Sequence, residues 1–447
     1  MTQRRSVRIA AVVCGLALLA AACGDDDDDA ADTTTTTGAP DGGGELTIEV
    51  VDTVSVAVGE DATDAIEPQA GTDRGNVNGA LSLGSVLPSS GDLAVLGEPM
   101  NEAVAMAIAE INAAGGVFGQ DVTLDARDSG TDEQVASDSV DALLGTNIDA
   151  IIGPASSRIS LSVIDKITGA GVTQCSPSNT GLDFTTYEDG GYYFRTAPPD
   201  NLQARVMADE LIIPDGHETV GIIALADSYG QGFANSLEEQ VEGAGLEVVV
   251  NQAYDPNGTN FDSDVQALVE ADADAYVIWG FPDTGAIILT GMIEAGIGPA
   301  DKPLYTGDGL QSSSLGAAVD PNNPGILAGM KGTAPSAAPP DGEPTFGDRF
   351  AAFAPGVDTI FSAHAYDCAI TLALAAISAD SDASSDIAAA MQSVTKDGEK
   401  CGTFAECKAI LEAGGDIDYD GASGGLDFVN AGEPGAGAYD VWEFRVS

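Results

Sequence analysis

From residue 80 onward, apolar positions switch repeatedly between a period of two and a helical period. Leu81, Leu83 and Val86 mark a short strand, and the loop Pro88-Ser89-Ser90-Gly91 follows. Met100, Val104, Ala107, Ile108 and Ile111 then recur at helical spacing until Gly115-Gly116 stops the helix. Val122, Leu124 and Ala126 alternate as the next strand. A helix through Val135, Leu143 and Leu144 leads to Asp149-Ala150-Ile151-Ile152, a buried type of strand that ends at Gly153-Pro154. After one more helix, a strand over 171–175 opens into a polar loop. A second series begins after Pro198-Pro199, with strands at 220–226, 246–250, 276–279 and 304–306. Helices from about 232 to 243, through 265–269 and over 284–295 separate them. Alternation of strand and helix predicts parallel sheets covered by helices on both faces. Two series of similar length predict an α/β protein built as two doubly wound parallel-sheet lobes.

Ligands of open parallel sheets sit outside the carboxyl ends of the strands. Five loops meet that condition: 89–96, Ser156-Ser157, 178–180, 227–230 and 307–309. They offer hydroxyls, backbone amides, Tyr229 and Asp308. Hydroxyls and amides receive carboxylates well, and a buried aspartate suits an ammonium. No catalytic base accompanies them. The set is expected to hold a zwitterion rather than transform it.

Composition narrows this further. At 447 residues the chain is long enough for two or three domains of roughly 100–200 residues each. Seventy-one acidic residues against sixteen basic ones give a net charge of −55, which repels phosphate backbones and anionic lipid. Nucleic acid is therefore excluded as a partner. Only two histidines occur, His217 and His364, leaving little for histidine-based metal or acid–base chemistry. No cofactor and no metal site is expected.

At the N-terminus, Arg4, Arg5 and Arg8 precede a small-and-apolar run over residues 9–22. Its fourteen residues fall short of the roughly 20 needed to cross a bilayer. A basic start, a short apolar core and small residues before a cut describe an export signal over residues 1–22. Ala20-Ala21-Ala22-Cys23 resembles a bacterial lipobox, with its leucine displaced by one place to Leu19. Cys23 is then the lipidated first residue of the mature chain, which would sit on the outer face of the cell membrane through that anchor alone. Cleavage removes three arginines and no acids, taking the charge from −55 to −58. Residues 23–78 read as a tether and arm: the Asp, Thr and Gly runs that begin it have nothing to pack with, while 46–58 is strand-like.

The segments Ile108-Ala109-Glu110-Ile111-Asn112-Ala113-Ala114-Gly115-Gly116-Val117, Ile151-Ile152-Gly153-Pro154, Ser176-Pro177-Ser178-Asn179-Thr180 and Asp227-Ser228-Tyr229-Gly230, in that order, carry a resemblance. It continues through Ala365-Tyr366-Asp367 and Asp420-Gly421-Ala422-Ser423-Gly424. The chain resembles the periplasmic leucine/isoleucine/valine-binding proteins, the amino-acid receptors of one class of ABC importer. This resemblance implies a monomer that closes over an amino acid between two lobes and presents it to a membrane permease and its ATPase. Lobe 1 would take 79–198 plus 334–425, and lobe 2 would take 199–333 plus 426–447. Ser157 and Thr180 match hydroxyls that receive the ligand carboxylate. Ser178 matches a residue whose carbonyl accepts from the ammonium. Tyr229 matches an aromatic that closes the pocket, and Phe281 lies close to another aromatic position. Asp308 stands where branched-chain receptors have a glutamate for the ammonium. Leu96 replaces a covering aromatic, which weakens any claim to branched-chain selectivity. A sensory module of the same fold, or a receptor for an amide, urea or small organic acid, is the alternative.

Three further patterns need a reading. Gly421-Ala422-Ser423-Gly424-Gly425 matches the nucleophile elbow G-x-S-x-G, but strand-like sequence follows it and both histidines precede it. An enzyme is not expected. Residues 416–427 reproduce most of a calcium-loop spacing, with Asp427 in place of the closing glutamate and no helix to follow. Four cysteines remain beyond the signal and the lipid site, and they allow three full pairings. Cys401 and Cys407 are expected to pair in an exported chain. Cys175 with Cys368 forms a second bridge or remains a pair of buried thiols.

Overall fold

The computed structural model describes residues 44–58, 77–337, 345–429 and 432–447. The export signal, Cys23 and most of the tether therefore lie outside the described residues. In chain order the first elements are β1 (Leu46–Ala57), β2 (Ser82–Leu87), α1 (Ala94–Ala113), β3 (Thr123–Asp128), α2 (Glu133–Leu144), β4 (Ala150–Ile152), α3 (Ser157–Thr168), β5 (Thr173–Ser176) and β6 (Tyr193–Arg195). Strands β3-β2-β4-β5-β6 form a five-stranded parallel sheet in that order. The chain then passes to a second sheet. It runs through α4 (Asp200–Met207), α5 (Ile213–Asp215), β7 (Thr219–Leu225), α6 (Ser228–Gly243), β8 (Glu247–Tyr254), α7 (Asp262–Ala271), β9 (Ala275–Trp279), α8 (Pro282–Glu294), β10 (Leu304–Thr306), α9 (Leu315–Val319) and β11 (Lys331–Pro335). Helices α10 (Phe346–Phe353), α11 (Ser362–Ala379) and α12 (Ser384–Met391) follow. The chain ends through β12 (Glu399–Cys401), α13 (Phe404–Glu412), β13 (Ile417–Gly421), β14 (Gly424–Gly425) and β15 (Ala436–Val446).

The second sheet has seven strands in the order β1-β15-β11-β10-β9-β7-β8. Its strands from β8 to β11 are parallel, whereas β15 runs antiparallel to both β11 and β1. Central strands are covered on both faces: Ile151, Ile152, Val277 and Ile278 have no exposed surface. In each sheet the chain reverses direction beside the first strand of its parallel series, β2 in one and β7 in the other. The reversals fall between β2 and β4 in one and between β7 and β9 in the other, and these are the crevices where such folds place ligands.

Several boundaries differ from the sequence expectation. Asp-Ser-Tyr-Gly at 227–230 is the first turn of α6, not a loop, because the Asp227 carboxylate accepts from the Gly230 N–H at 2.9 Å and caps the helix. Helix α1 starts at Ala94, so Leu96 stands on a helix. Strand β8 runs on to Tyr254, beside β7. The strand-like arm at 46–58 finds a role: β1 is the outer strand of the seven-stranded sheet, paired from Leu46↔Val446 to Ala57↔Ala436.

Both disulfides are formed. Cys175–Cys368 ties β5 to α11 with a Cα separation of 5.8 Å, and Cys401–Cys407 closes a short loop at 5.3 Å. Ser423 of the G-x-S-x-G pattern lies in the turn between β13 and β14, where its hydroxyl and N–H both donate to buried Asp367. At the calcium-like spacing, the Lys400 ammonium sits 2.9 Å from both Asp418 and Asp420 and takes the place of a cation. Among the described residues no group of three acidic, histidine or cysteine side chains is arranged to hold a metal. No described helix is long and apolar enough to cross a membrane.

Candidate functional site

The carboxyl ends of β2, β4 and β5 face those of β7, β9 and β10 across a small cavity of about 20 Å³. On the first-sheet side, β4 is followed by Gly153, whose φ is positive at 96° and where a Cβ would lie 2.7 Å from the Val86 carbonyl oxygen. That turn delivers Ser156 and Ser157 to the N-terminus of α3, where first-turn N–H groups have no intrahelical acceptor. The two hydroxyls then behave differently. Ser157 Oγ accepts from the Gly181 N–H at 3.2 Å. Ser156 Oγ lines the cavity, is buried and has no hydrogen-bond partner. Ser178, also on the wall, donates to the Ala155 carbonyl at 3.1 Å.

On the second-sheet side stands Asp308, 4% exposed. Its Oδ1 accepts from Gln203 Nε2 at 2.9 Å, and its Oδ2 accepts from the Tyr229 hydroxyl at 3.3 Å. The Gly309 N–H donates to the same tyrosine oxygen at 3.2 Å. Gly309 is required there, since a Cβ would lie 2.4 Å from the Gly280 carbonyl. Tyr229 stacks on Phe281 with ring centres 5.2 Å apart. Burial pushes the Asp308 carboxyl up to about 6, against the pull of the Gln203 and Tyr229 hydrogen bonds. Leu93, Leu96, Met100 and Phe361 supply the apolar wall.

Six residues expected at the site, Leu96, Ser157, Ser178, Tyr229, Phe281 and Asp308, are brought together on this wall. Thr180 is not on it. Its carbonyl accepts from the Asp200 N–H at 2.9 Å, and its hydroxyl lies beside the Asp200 carboxyl without a hydrogen bond of good geometry. Met100 and Phe361 were not legible as site residues. Met100 reads as one more apolar position of α1, and Phe361 precedes α11 more than fifty residues from any other wall residue, at a left-handed φ of 54°. Neither histidine takes part: His217 bonds the Tyr305 hydroxyl at 2.8 Å, and burial pushes His364 down to about 3.

The two sides also touch directly. Ser228 at the start of α6 donates to the Asp183 carboxylate. The Asp283 N–H in the first turn of α8 donates to Asp92 Oδ1 at 2.8 Å. Burial raises Asp92 to about 6, with the nearby Asp283 charge adding to the rise and its N–H opposing it.

The two sheets meet at their switch points around one cavity lined by Ser156, Ser157 and Asp308, where folds of this kind hold a solute. The chain belongs to the periplasmic binding protein family, which it matches over residues 80–410. It is 28% identical over 371 residues to Leu/Ile/Val-binding protein homolog 2 of Brucella abortus (strain 2308), covering 82% of this chain and 90% of that one. Homolog 3 of Brucella melitensis biotype 1 is 25% identical over 247 residues, 55% of this chain, and the match spans just under two thirds (66%) of that relative's length. The chemotactic signal transduction system substrate-binding protein BasB of Halobacterium salinarum is 27% identical, with 80% of this chain and 85% of BasB covered. In fold, the chain is similar to the branched-chain amino acid transporter substrate-binding protein LivJ of Streptococcus pneumoniae solved with isoleucine. The TM-score is 0.65 at 21% identity, over 82% of this chain and all of that one. Membership of this family implies an extracytoplasmic protein.

Proposed function

We propose that the protein is the solute receptor of an ABC importer and binds an amino acid between its two sheets. One observation carries the reading: Ser156, at the N-terminus of α3 and with its hydroxyl unpaired, lines the same apolar-walled cavity as the buried Asp308 carboxylate. The ligand carboxylate lies against the α3 N-terminus, with Ser156 donating and Ser157 and Ser178 beside it. Its ammonium pairs with Asp308, and the side chain packs among Leu96, Met100, Tyr229, Phe281 and Phe361. Asp308 keeps the charge of a glutamate but holds it about one methylene further back. Residues 79–198 plus 334–425 form one lobe and 199–333 plus 426–447 the other. The lobes close by hinge motion at the crossovers near 198, 334 and 425 and present the closed form to a permease and its ATPase. A diacylglycerol on Cys23 holds the receptor at the outer face of the membrane.

Mass spectrometry of solute co-purified with the mature protein, followed by calorimetry with that solute, tests the reading. A ligand without an ammonium sinks it. The likeness to BasB favours a second reading, a receptor that reports ligand to a signalling partner. Neighbouring permease and ATPase genes support import, and a neighbouring transducer gene supports sensing.

A further inference from the structure

Asp200 opens α4 directly after the crossover Pro198-Pro199 and has no exposed surface. Neither of its carboxylate oxygens has a hydrogen-bond partner. It stands one helical turn before Gln203, so the two side chains share a face of α4, and Gln203 is the group that holds Asp308. Its backbone N–H is tied to Thr180, which follows β5 in the first sheet, while its Oδ2 lies close to Gly232 of α6 in the second. Asp200 therefore sits where both sides of the cavity meet, one residue behind the wall.

The charges around Asp200 are unfavourable to an anion. Asp308 and Asp227 face it, and Tyr229 and Tyr439 lie within its field. Arg195 is the one cation among the groups acting on it, and Arg195 is itself committed to buried Glu433 and to the carbonyls of Asn179 and Gly181. A buried carboxylate without a counter-ion of its own costs several kcal/mol, more than the neighbouring Thr180 hydroxyl offsets, and such a group takes up a proton instead. The surroundings suit a donor. Thr180 Oγ1 and Gln203 Oε1 are both buried and unpartnered, so an Asp200 O–H would meet an oxygen lacking a partner. Burial first, and then the Asp308 charge, push the Asp200 carboxyl well above its usual range.

We propose that Asp200 carries a proton in the native fold, so that the cationic end of the pocket presents one negative charge, that of Asp308. Solvent supplies the proton: an ionised Asp200 of the unfolded chain takes up one H⁺ and enters the structure as the neutral acid. The site then favours a ligand with one positive charge at that end over one with two. This last statement rests on the receptor reading above; the protonation does not.

The experiment has two arms. Urea unfolding of the parent and Asp200→Asn is followed from pH 4.5 to 8. A proton held only by the folded state makes the parent's unfolding constant rise, relative to the variant's, about tenfold per pH unit above the ordinary carboxylate range. The two therefore lie close together in acid and diverge as pH rises. Parallel curves overturn the proposal, because Asp200 would then be ionised in the fold. Asp200→Ser, also neutral, gives the same comparison if Asn does not fold. Exchange of sodium chloride for choline chloride at fixed pH leaves the difference unchanged; a difference that follows sodium instead overturns the proposal in favour of a bound cation. In the second arm, calorimetry with L-leucine and L-isoleucine at pH 7 finds Asp200→Asn within about threefold of the parent, because the neutral amide replaces a neutral acid. A larger loss overturns the reading that Asp200 stands neutral beside the pocket. Absence of binding to the parent counts against the receptor reading, while the unfolding arm still decides the proton.

Discussion

The two serines at the start of α3 are adjacent in sequence but differ in what their hydroxyls face. Ser156→Ala removes only an unpaired hydroxyl on a residue that lines the cavity, so it is expected to weaken ligand binding by about 1–3 kcal/mol and leave the melting temperature unchanged. Ser157→Ala leaves the Gly181 N–H without its acceptor and is expected to cost stability by a similar amount. Calorimetry and thermal denaturation of both variants separate the two effects. At Asp308, removal of the charged partner of a buried ammonium should cost roughly 3–5 kcal/mol of binding in Asp308→Ala. Asp308→Asn keeps the shape and isolates the charge. The carboxyl ionises at about 6, so affinity should hold above that value and fall as pH drops through it. An affinity flat from pH 8 to 5 would place the ammonium elsewhere. Sequence spacing pointed to both serines and to Asp308 because strand ends are legible from apolar runs. It could not tell which hydroxyl is free, since that depends on where Gly181 returns from a later loop.

Elements were legible where their burial is uniform and ambiguous where capping decides. Strands β4 and β9 are short apolar runs with no exposed residue, and their positions follow from composition alone. The start of α6 rested on one side chain, Asp227, turning to cap its own helix, and the same residues read equally well as a loop. Strand β1 was hard to assign because its partner lies almost four hundred residues away. The disulfides join elements over very different spans. Cys175 and Cys368 are 193 residues apart, and Cys401 and Cys407 are 6 apart. On the chain-entropy account, the long loop should contribute about 5 kcal/mol and the short one about 2 kcal/mol. Denaturant unfolding of the two double alanine variants is expected to rank them in that order. Equal losses would mean that packing rather than loop closure sets the cost.

At the scale of the whole molecule, the chain carries a net charge of −55. The anchor proposed on Cys23 is tested separately. A single acyl chain binds membranes only marginally, so stable attachment calls for the diacyl group. Cys23→Ala should move the protein from the detergent phase to the aqueous phase in two-phase extraction, and unchanged partitioning would refute the anchor. The pairing of β1 with β15 has a further consequence. The Ser447 N–H donates to the Glu45 carbonyl at 3.0 Å, so the described body begins and ends at one spot on its surface. Topologically it is a ring with a single cut. Joining 447 to 44 through a few glycines and cutting instead at the exposed turn near Gly356 should yield a rearranged chain that still folds and melts cooperatively. A pull applied ahead of Leu46 would be borne by the whole β1–β15 ladder before any strand around the cavity felt it.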